Sequence, residues 1–348
     1  MFGVMKTVFV GLSGGVDSSV AAALAKEQGY QVIGAYMKNW SQDLPGFACP
    51  WKQDYQDAKR VAVQLGIDFE MFDFETEYRA KVVDYMLDEF KAGRTPNPDI
   101  MCNQEIKFKL FLDTALEKGA DYIATGHYAR VKDGQLLTGV DKNKDQTYFL
   151  YRVTEDALKH SLFPVGELKK PEVRKIAEAK NLVTATKKES MGICFVGKVG
   201  IKEFLQQFVD YEPGLIVDQN GIKIGQHDGA IFYTIGQRHG LNVGGGLPYY
   251  VVGKDMAKNE VYVTTKLDDE RLWHEVVELT DLHWINEAPE QGKNYQVCTR
   301  YRAPLVNCVF EDESLNTIKL EDPVKAVTPG QSAVIYDGDR VVGGGIVV

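Results

Sequence analysis

The run Gly11-Leu12-Ser13-Gly14-Gly15-Val16-Asp17-Ser18-Ser19 follows directly on a short apolar stretch, Thr7 to Gly11, and leads into Val20-Ala21-Ala22-Ala23-Leu24-Ala25. Strand, glycine turn and alanine-rich helix together make an anion cradle. Glycines let the backbone turn tightly and approach a ligand, and the free N–H groups of the first helical turn point at it. Ser18 and Ser19 add hydroxyl donors, and Asp17 is placed either to hold a magnesium ion or to cap the helix. No lysine follows these glycines, so the stretch is not a Walker loop, which requires Gly-Lys-Ser/Thr.

Outward from this run, residues 1–130 alternate strand and helix patterns: strands at Val8–Gly11, Tyr30–Tyr36, Ile67–Phe74 and Tyr122–Thr125, and helices at Ser18–Gly29, Gln53–Leu65, Tyr78–Lys91 and Lys107–Lys118. Repeated βα units predict a parallel sheet covered by helices, with ligands at the carboxyl ends of its strands. The glycine run, Met37-Lys38-Asn39 and Thr125-Gly126-His127-Tyr128 all face that edge. Between them Gly93-Arg94-Thr95-Pro96-Asn97-Pro98-Asp99 reads as a rigid loop, since alternating prolines remove donors and fix φ. A helix follows over 165–181, opening at Pro171, and a short one over Ile201–Phe208. After Tyr211 the texture changes to short β patterns separated by Gly, Asp and Asn: Gly214–Val217, Ile231–Ile235, Tyr249–Val252 and Val261–Thr264, then a second set from Val276 to the C-terminus. The spacing predicts two small β units, the last a barrel. The expected division is 1–210, 211–272 and 273–348.

Composition sets the outer limits. At 348 residues the chain accommodates two or three domains, and no stretch approaches the ~20 apolar residues of a membrane span. The first strand begins within a few residues of Met1, leaving no room for a signal peptide. Cys49, Cys102, Cys194, Cys298 and Cys308 are an odd, scattered set without a Cys-x-x-Cys pair, which argues against zinc and a secreted disulfide framework and for the cytoplasm. Net charge −9 argues against indiscriminate nucleic-acid binding, but Lys159–Lys188 holds eight Lys/Arg against three Glu. That excess is an ordinary solvated face unless a polyanionic partner is implied independently.

Two cysteines have chemical context. Cys102 follows the proline-stiffened loop three residues after Asp99; placed on a loop end or first helical turn its thiol would be exposed, and Lys107 and Lys109 would favour the thiolate if they point the same way, whereas for one cysteine taken alone a buried, inert thiol is the better reading. Cys194 sits in Ser190-Met191-Gly192-Ile193-Cys194-Phe195 beside the basic stretch. The other three read as structural.

The glycine run without its lysine resembles the PP-loop of ATP pyrophosphatases, which cut ATP between the α- and β-phosphates. Five further pieces follow in order: Thr95-Pro96-Asn97-Pro98 with Cys102-Asn103, Thr125-Gly126-His127-Tyr128-Ala129-Arg130, Lys144-Asp145-Gln146, Gly192-Ile193-Cys194-Phe195 and Arg300-Tyr301-Arg302-Ala303. With Phe232-Tyr233-Thr234-Ile235-Gly236-Gln237-Arg238 they resemble the tRNA-specific 2-thiouridylase family over nearly the whole chain. Thr147 stands where many relatives carry serine, which keeps the hydroxyl.

The resemblance implies an α/β PP-loop domain with a parallel sheet, a small central β-rich domain and a C-terminal β-barrel. It also implies ATP with Mg2+, a tRNA substrate with Lys, Glu and Gln acceptors, and an upstream sulfur donor, either a cysteine desulfurase or a sulfur-relay protein. Carried residue by residue, Gly11, Leu12, Ser13, Gly14, Gly15, Val16, Asp17, Ser18, Met37 and Gly126 would touch the nucleotide, and Asn97, Pro98 and Asp99 the target base. Lys144, Asp145, Gln146, Arg300 and Tyr301 would contact tRNA; the last two suit that role as a phosphate fork beside a stacking ring. Cys194 would carry a persulfide, Cys102 would attack it or close a disulfide with it, and Asp99 would handle a proton. His127 is a candidate base, with a structural hydrogen bond as the simpler reading. Two other functions fit the glycine run: a PP-loop synthetase forming an amide or C–N bond, and a tRNA- or nucleotide-binding module without turnover.

Overall fold

The computed structural model describes residues 5–45, 48–188, 200–241, 243–244 and 248–348. Strands β1 (Thr7–Gly11), β2 (Gln31–Lys38), β3 (Asp68–Asp73) and β4 (Tyr122–Ala124) form the N-terminal sheet. A hairpin, β5 (Ala129–Lys132) and β6 (Gln135–Thr138), leads on to β7 (Ser161–Leu162), which completes that sheet in the order β3-β2-β1-β4-β7. All its pairings are parallel. Val8, Phe9 and Val10 are buried because helices cover both faces of β1, which is why they form an unbroken apolar run. Helix Val16–Glu27 follows the first strand, and its alanines at 21, 22, 23 and 25 are all buried, allowing close approach to the sheet. The strand order reverses between β1 and β4, so the crevice at their carboxyl ends is the place where a sheet of this kind takes a ligand.

Several elements differ from the sequence expectation. Residues 75–91 form one continuous helix, starting three residues earlier than the apolar pattern suggests. Residues 98–117 do the same: the helix begins at Pro98 with Asn97 at the N-cap, and its central part, Cys102–Leu110, widens into a π-helix. Cys102 therefore lies inside a helix at 1% exposure, packed in the main apolar cluster: of its two readings the structure has the buried thiol and not the exposed one at a loop end. Ile231–Ile235 is not a strand; Ala230–Phe232 forms a 3-10 turn whose Ala230 packs in the core of the second unit while Ile231 packs in the main apolar cluster. The expected helix over 165–181 is confined to Lys170–Ala179.

In the second unit β8 (Gly214–Val217), β9 (Lys223–His227), β10 (Tyr250–Asp255) and β11 (Glu260–Thr264) form a sheet in the order β10-β11-β8-β9. The C-terminal unit comprises β12 (Trp273–Trp284), β13 (Tyr295–Cys298), β14 (Val306–Phe310), β15 (Thr317–Lys325), β16 (Ser332–Asp337) and β17 (Arg340–Val347). These six antiparallel strands close into a barrel, because β12 pairs with β15 on one side and with β17 on the other. Hairpin β5–β6 then extends the barrel sheet, with β6 pairing to β17 at Leu137↔Arg340 and Leu136↔Val341. A piece of the N-terminal unit is thus hydrogen-bonded into the barrel, which fixes the barrel beside the strand ends.

Candidate nucleotide and RNA site

The glycine run turns where β1 ends. Gly14 adopts φ +74, and a Cβ there would sit 2.4 Å from the carbonyl oxygen of Asp54, so only glycine fits between the turn and the neighbouring helix. Helix Val16–Glu27 has Gly15 as N-cap without a side-chain cap, so Asp17 is in its first turn and does not cap it. Ser19 is fully buried and its hydroxyl donates to the Gly15 carbonyl at 2.7 Å; Ser18 donates to the same carbonyl at 3.1 Å and accepts from the Ser13 N–H at 3.2 Å. The two hydroxyls therefore stiffen the turn.

A cavity of about 630 Å³ opens on this turn. From the predicted nucleotide residues it brings together Gly11, Ser13, Gly15, Val16, Asp17 and Ser18 with Met37 of β2 and Gly126 after β4. Leu12 is buried in the core beneath, and Gly14 is not part of the wall. Asp99 reaches the same cavity from the start of helix 98–117, whereas Asn97, Pro98 and Cys102 do not line it. Cys194 lies outside the described residues.

Of the predicted RNA-contacting residues, Lys144, Gln146 and Tyr301 line the cavity. Gln146 is locked to Tyr128, whose N–H donates to its Oε1 at 3.0 Å. Asp145 turns inward, accepting from the Gly139 N–H at 2.7 Å and from the Thr147 hydroxyl at 2.7 Å, and burial pushes its carboxyl up from the ordinary range. Arg300 is exposed and does not line the cavity, while its neighbour Arg302, with φ +65, does. Tyr301 lies in a turn beyond the end of β13, with its ring centroid 4.3 Å from that of Phe149.

Sequence reasoning missed part of this wall. Lys170, Lys187 and Lys188 all line it, although the basic stretch they belong to reads as a solvated face or an RNA backbone contact. Lys170 pairs with Asp17 at 2.7 and 2.8 Å, and Lys187 bridges Asp54 and Asp57 at 2.7 Å each. Lys159 and Lys180, from the same stretch, instead pair with Glu155 and Glu27 on the outside. Six cationic side chains (Lys107, Lys144, Lys170, Lys187, Lys188, Arg302) face three carboxylates (Asp17, Asp54, Asp99) around the cavity. An acidic chain thereby presents a locally positive concavity, which suits a polyanion.

His127, largely buried, lines it too. Its Nδ1 lies 2.8 Å from the Thr125 hydroxyl and its Nε2 3.4 Å from the Lys107 ammonium. Burial, and secondarily Lys107, pushes its pKa well below the ordinary histidine range. The ammonium can only donate, so Nε2 accepts and the proton of the neutral ring sits on Nδ1. A histidine so engaged holds Lys107 and the Thr125 turn in place.

Three family models match consecutive parts of the chain: a tRNA methyl transferase HUP domain over residues 6–198, a tRNA methyl transferase PRC-barrel domain over 202–265 and an aminomethyltransferase β-barrel domain over 274–347. Curated relatives named tRNA-specific 2-thiouridylase MnmA are similar over almost their whole length. The protein of Lacticaseibacillus paracasei is 49% identical, covering 98% of this chain and 93% of its own. The Bacillus subtilis protein is 50% identical, covering 98% and 94%. A 4-thiouridine synthetase–RNA complex with bound ATP superposes on 58% of this chain and 50% of its own, with 18% identity and a TM-score of 0.40, too low to argue from. The model descriptions speak of methyl transfer, but identity at this level and coverage places the chain with the relatives themselves. The chain belongs to the tRNA-specific 2-thiouridylase family.

Proposed function

We propose that this protein is an ATP-dependent tRNA-uridine 2-sulfurtransferase acting on the wobble uridine. The observation that carries the reading is a positively lined cavity in which the glycine turn, Asp99, Lys144 and Tyr301 meet. A nucleotide alone needs only the first of these.

In the first step the uridine O2 attacks the α-phosphorus of ATP. The bond to the α,β-bridging oxygen breaks, its electron pair leaves on pyrophosphate, and the N3 proton passes to solvent. Gly11 to Ser18, Met37 and Gly126 hold the nucleotide, with backbone N–H groups supplying preorganised donors. Asn97, Pro98 and Asp99 border the base, and Lys144, Asp145, Gln146, Arg300 and Tyr301 serve tRNA. Asp17 and Asp54 are the carboxylates on the cradle side of the cavity. Among the described residues there is no cluster of three or more His, Cys, Asp or Glu able to cage a metal. This donor set suits Mg2+ shared with phosphate oxygens, where it would screen charge.

In the second step sulfur adds to C2 and AMP departs with the former O2. Cys194 carries the sulfur as a persulfide, and Cys102 attacks it to release sulfide, or closes a disulfide with Cys194 after transfer. Either route leaves a Cys102–Cys194 disulfide for an external thiol to reduce. The donor is a cysteine desulfurase or sulfur-relay protein, the acceptors are the Lys, Glu and Gln tRNAs, and the setting is the cytoplasm. We assign activation to residues 1–210 and tRNA contact to the barrel, 273–348, with 211–272 between them.

The test is the Cys102→Ser/Cys194→Ser double variant with ATP, Mg2+, tRNA and a sulfur source. Loss of 2-thiouridine by mass spectrometry, with tRNA-dependent pyrophosphate release retained, is expected. Undiminished sulfur incorporation would remove the reading in favour of a cysteine-independent synthetase.

A further inference from the structure

We infer that Thr95 is a positioning residue for the target uridine, the point at which both downstream units hold the loop that carries Asn97, Pro98 and Asp99. The inference rests on the reading above, in which those three residues border the base, and adds what sets their place.

The loop has little means of holding itself. Pro96 and Pro98 have no N–H, so Thr95 and Asn97 supply the only backbone donors between Arg94 and Asp99. Every polar group of Thr95 bonds outside its own unit. Its N–H donates to the Pro329 carbonyl at 2.8 Å, its carbonyl accepts from the Gln331 side-chain amide at 2.6 Å, and its hydroxyl lies 3.2 Å from that of Thr234. The first two partners sit in the turn 328–331 that enters β16 of the barrel, and the third in the turn 234–237 of the central unit.

Contact at this joint is backbone to backbone. Gly330 has φ +89, and a Cβ on it would lie 2.8 Å from the Thr95 nitrogen and 2.9 Å from the Arg94 Cβ. The central turn is itself fixed: Lys254 Nζ donates to the Tyr233 carbonyl at 2.8 Å, and the Gly236 N–H donates to the Val251 carbonyl at 2.8 Å. Gly236 in turn backs onto Ala326 of the barrel, whose Cβ lies 2.5 Å from where its own would be. All three units therefore meet on one residue, two positions before Asn97. From there Asn97 is the N-cap of helix 98–117, and Asp99 in the first turn lines the cavity.

The same barrel turn runs into Ser332, whose carbonyl accepts from the Tyr148 hydroxyl at 2.9 Å and whose hydroxyl lies 3.1 Å from that of Tyr151. Phe149, between those tyrosines, lines the cavity beside Tyr301. The base loop and the wall that serves tRNA thus share one reference on the barrel. An RNA seated on the barrel meets Asn97, Pro98 and Asp99 at a set spacing while Thr95 is held. A displacement near 1 Å of such groups costs up to about 10²-fold in rate. Affinity for RNA, spread over a wider surface, does not depend on that spacing.

The experiment uses Thr95→Val, Thr95→Ser and Gly330→Ala in the full-length protein. It measures kcat and KM for tRNA-dependent pyrophosphate release, tRNA affinity by filter binding, and the thermal transition. Loss of the Thr95 hydroxyl, with that of Thr234 left behind, corresponds to roughly tenfold. Thr95→Val is expected to lower kcat about tenfold, with tRNA affinity and the KM for ATP within twofold of wild type. Thr95→Ser, which keeps the hydroxyl, should stay within twofold throughout. Gly330→Ala presses on Thr95 from the barrel side and should show the same split, with kcat down by about 10²-fold. A hydrogen bond that served stability alone would lower the thermal transition and leave kcat of the folded protein where it was. Thr95→Val with kcat within twofold of wild type therefore overturns the inference, whatever Gly330→Ala does. An equal loss of kcat in Thr95→Ser overturns it as well. A loss confined to tRNA affinity also overturns it and makes Thr95 an RNA contact. Wild-type protein that releases no pyrophosphate with tRNA defeats the ATP-cleaving reading instead, whatever the variants do.

Discussion

Replacing Gly126 by alanine tests the cradle at its tightest point. Gly126 follows β4 and backs directly onto the first turn of helix Val16–Glu27. An added Cβ would lie 2.6 Å from the Ser18 nitrogen, 2.7 Å from the Asp17 carbonyl carbon and 3.0 Å from the Ser18 Cα. Ordinary contact begins near 3.4 Å, so the shortfall is about 0.8 Å. All three atoms are main chain, and no rotamer relieves them. The backbone at Gly126 is not left-handed, so the whole effect is steric. The helix must retreat by most of an ångström, or the turn after β4 must. Overpacking of this kind costs about 1–3 kcal/mol. A displacement near 1 Å of groups that position a reacting phosphate costs about 10²-fold in rate. Pyrophosphate release with saturating tRNA should therefore fall by about two orders of magnitude while the thermal transition drops by several degrees. Gly244→Ala is the matched control, since among the described residues nothing lies within 4 Å of its added carbon. A Gly126→Ala protein that releases pyrophosphate within twofold of wild type would refute the close-approach argument and with it the placement of the nucleotide between β1 and β4.

Lys254 gives a pH-dependent test. Burial pushes its ammonium from 10.5 down to about 8, and its Nζ donates to the Tyr233 carbonyl at 2.8 Å. Between those two values the unfolded chain holds a proton that the folded one has released, so this residue makes stability rise with pH from about 8 to about 10.5. Below that window it is a constant cost, on the order of 3 kcal/mol. Lys254→Met should be more stable than wild type at pH 7, with the gap narrowing as pH rises, measured by denaturant unfolding at a series of pH values; a constant gap would refute the assignment. Arg152 joins helix 98–117 to the barrel, donating to Gln104 Oε1 at 2.5 Å and the Asp281 carbonyl at 2.8 Å and pairing with the Asp281 carboxylate at 2.9 Å. Arg152→Ala leaves those acceptors without their donor and should cost about 2–3 kcal/mol. Denaturant unfolding should register that loss, and unchanged stability would show that the junction does not depend on this residue.

The cradle was legible because its information is local. A strand buried on both faces must be apolar throughout, a tight turn must be glycine, and a close-packed helix favours alanine, all within Thr7–Ala25. The barrel was legible by the same kind of evidence, from evenly spaced turns. Two features carried signals that period counting passed over. Asp133-Gly134, with φ +51 and +76, is the two-residue turn of hairpin β5–β6. Asn97-Pro98 is an N-cap followed by proline at the first helical position, which starts the helix before Cys102 and buries the thiol.

Other features had no local signal at all. Lys170 and Asp17 are 153 residues apart, and Lys187 and Asp54 are 133 apart. Each lysine is one of eight cations in a stretch whose charge pattern fits an exposed face. Which of them turn inward depends on helix Lys170–Ala179 packing against helix Val16–Glu27. The pairing of β6 with β17 likewise depends on where the barrel closes. By itself the sequence determined the strand–turn–helix that binds an anion and the order of the units, since both follow from neighbouring residues. Tertiary structure decided which charges share the cavity and that Cys102 is sheltered, because electrostatic partners and burial depend on distance in space, which the interval along the chain does not set.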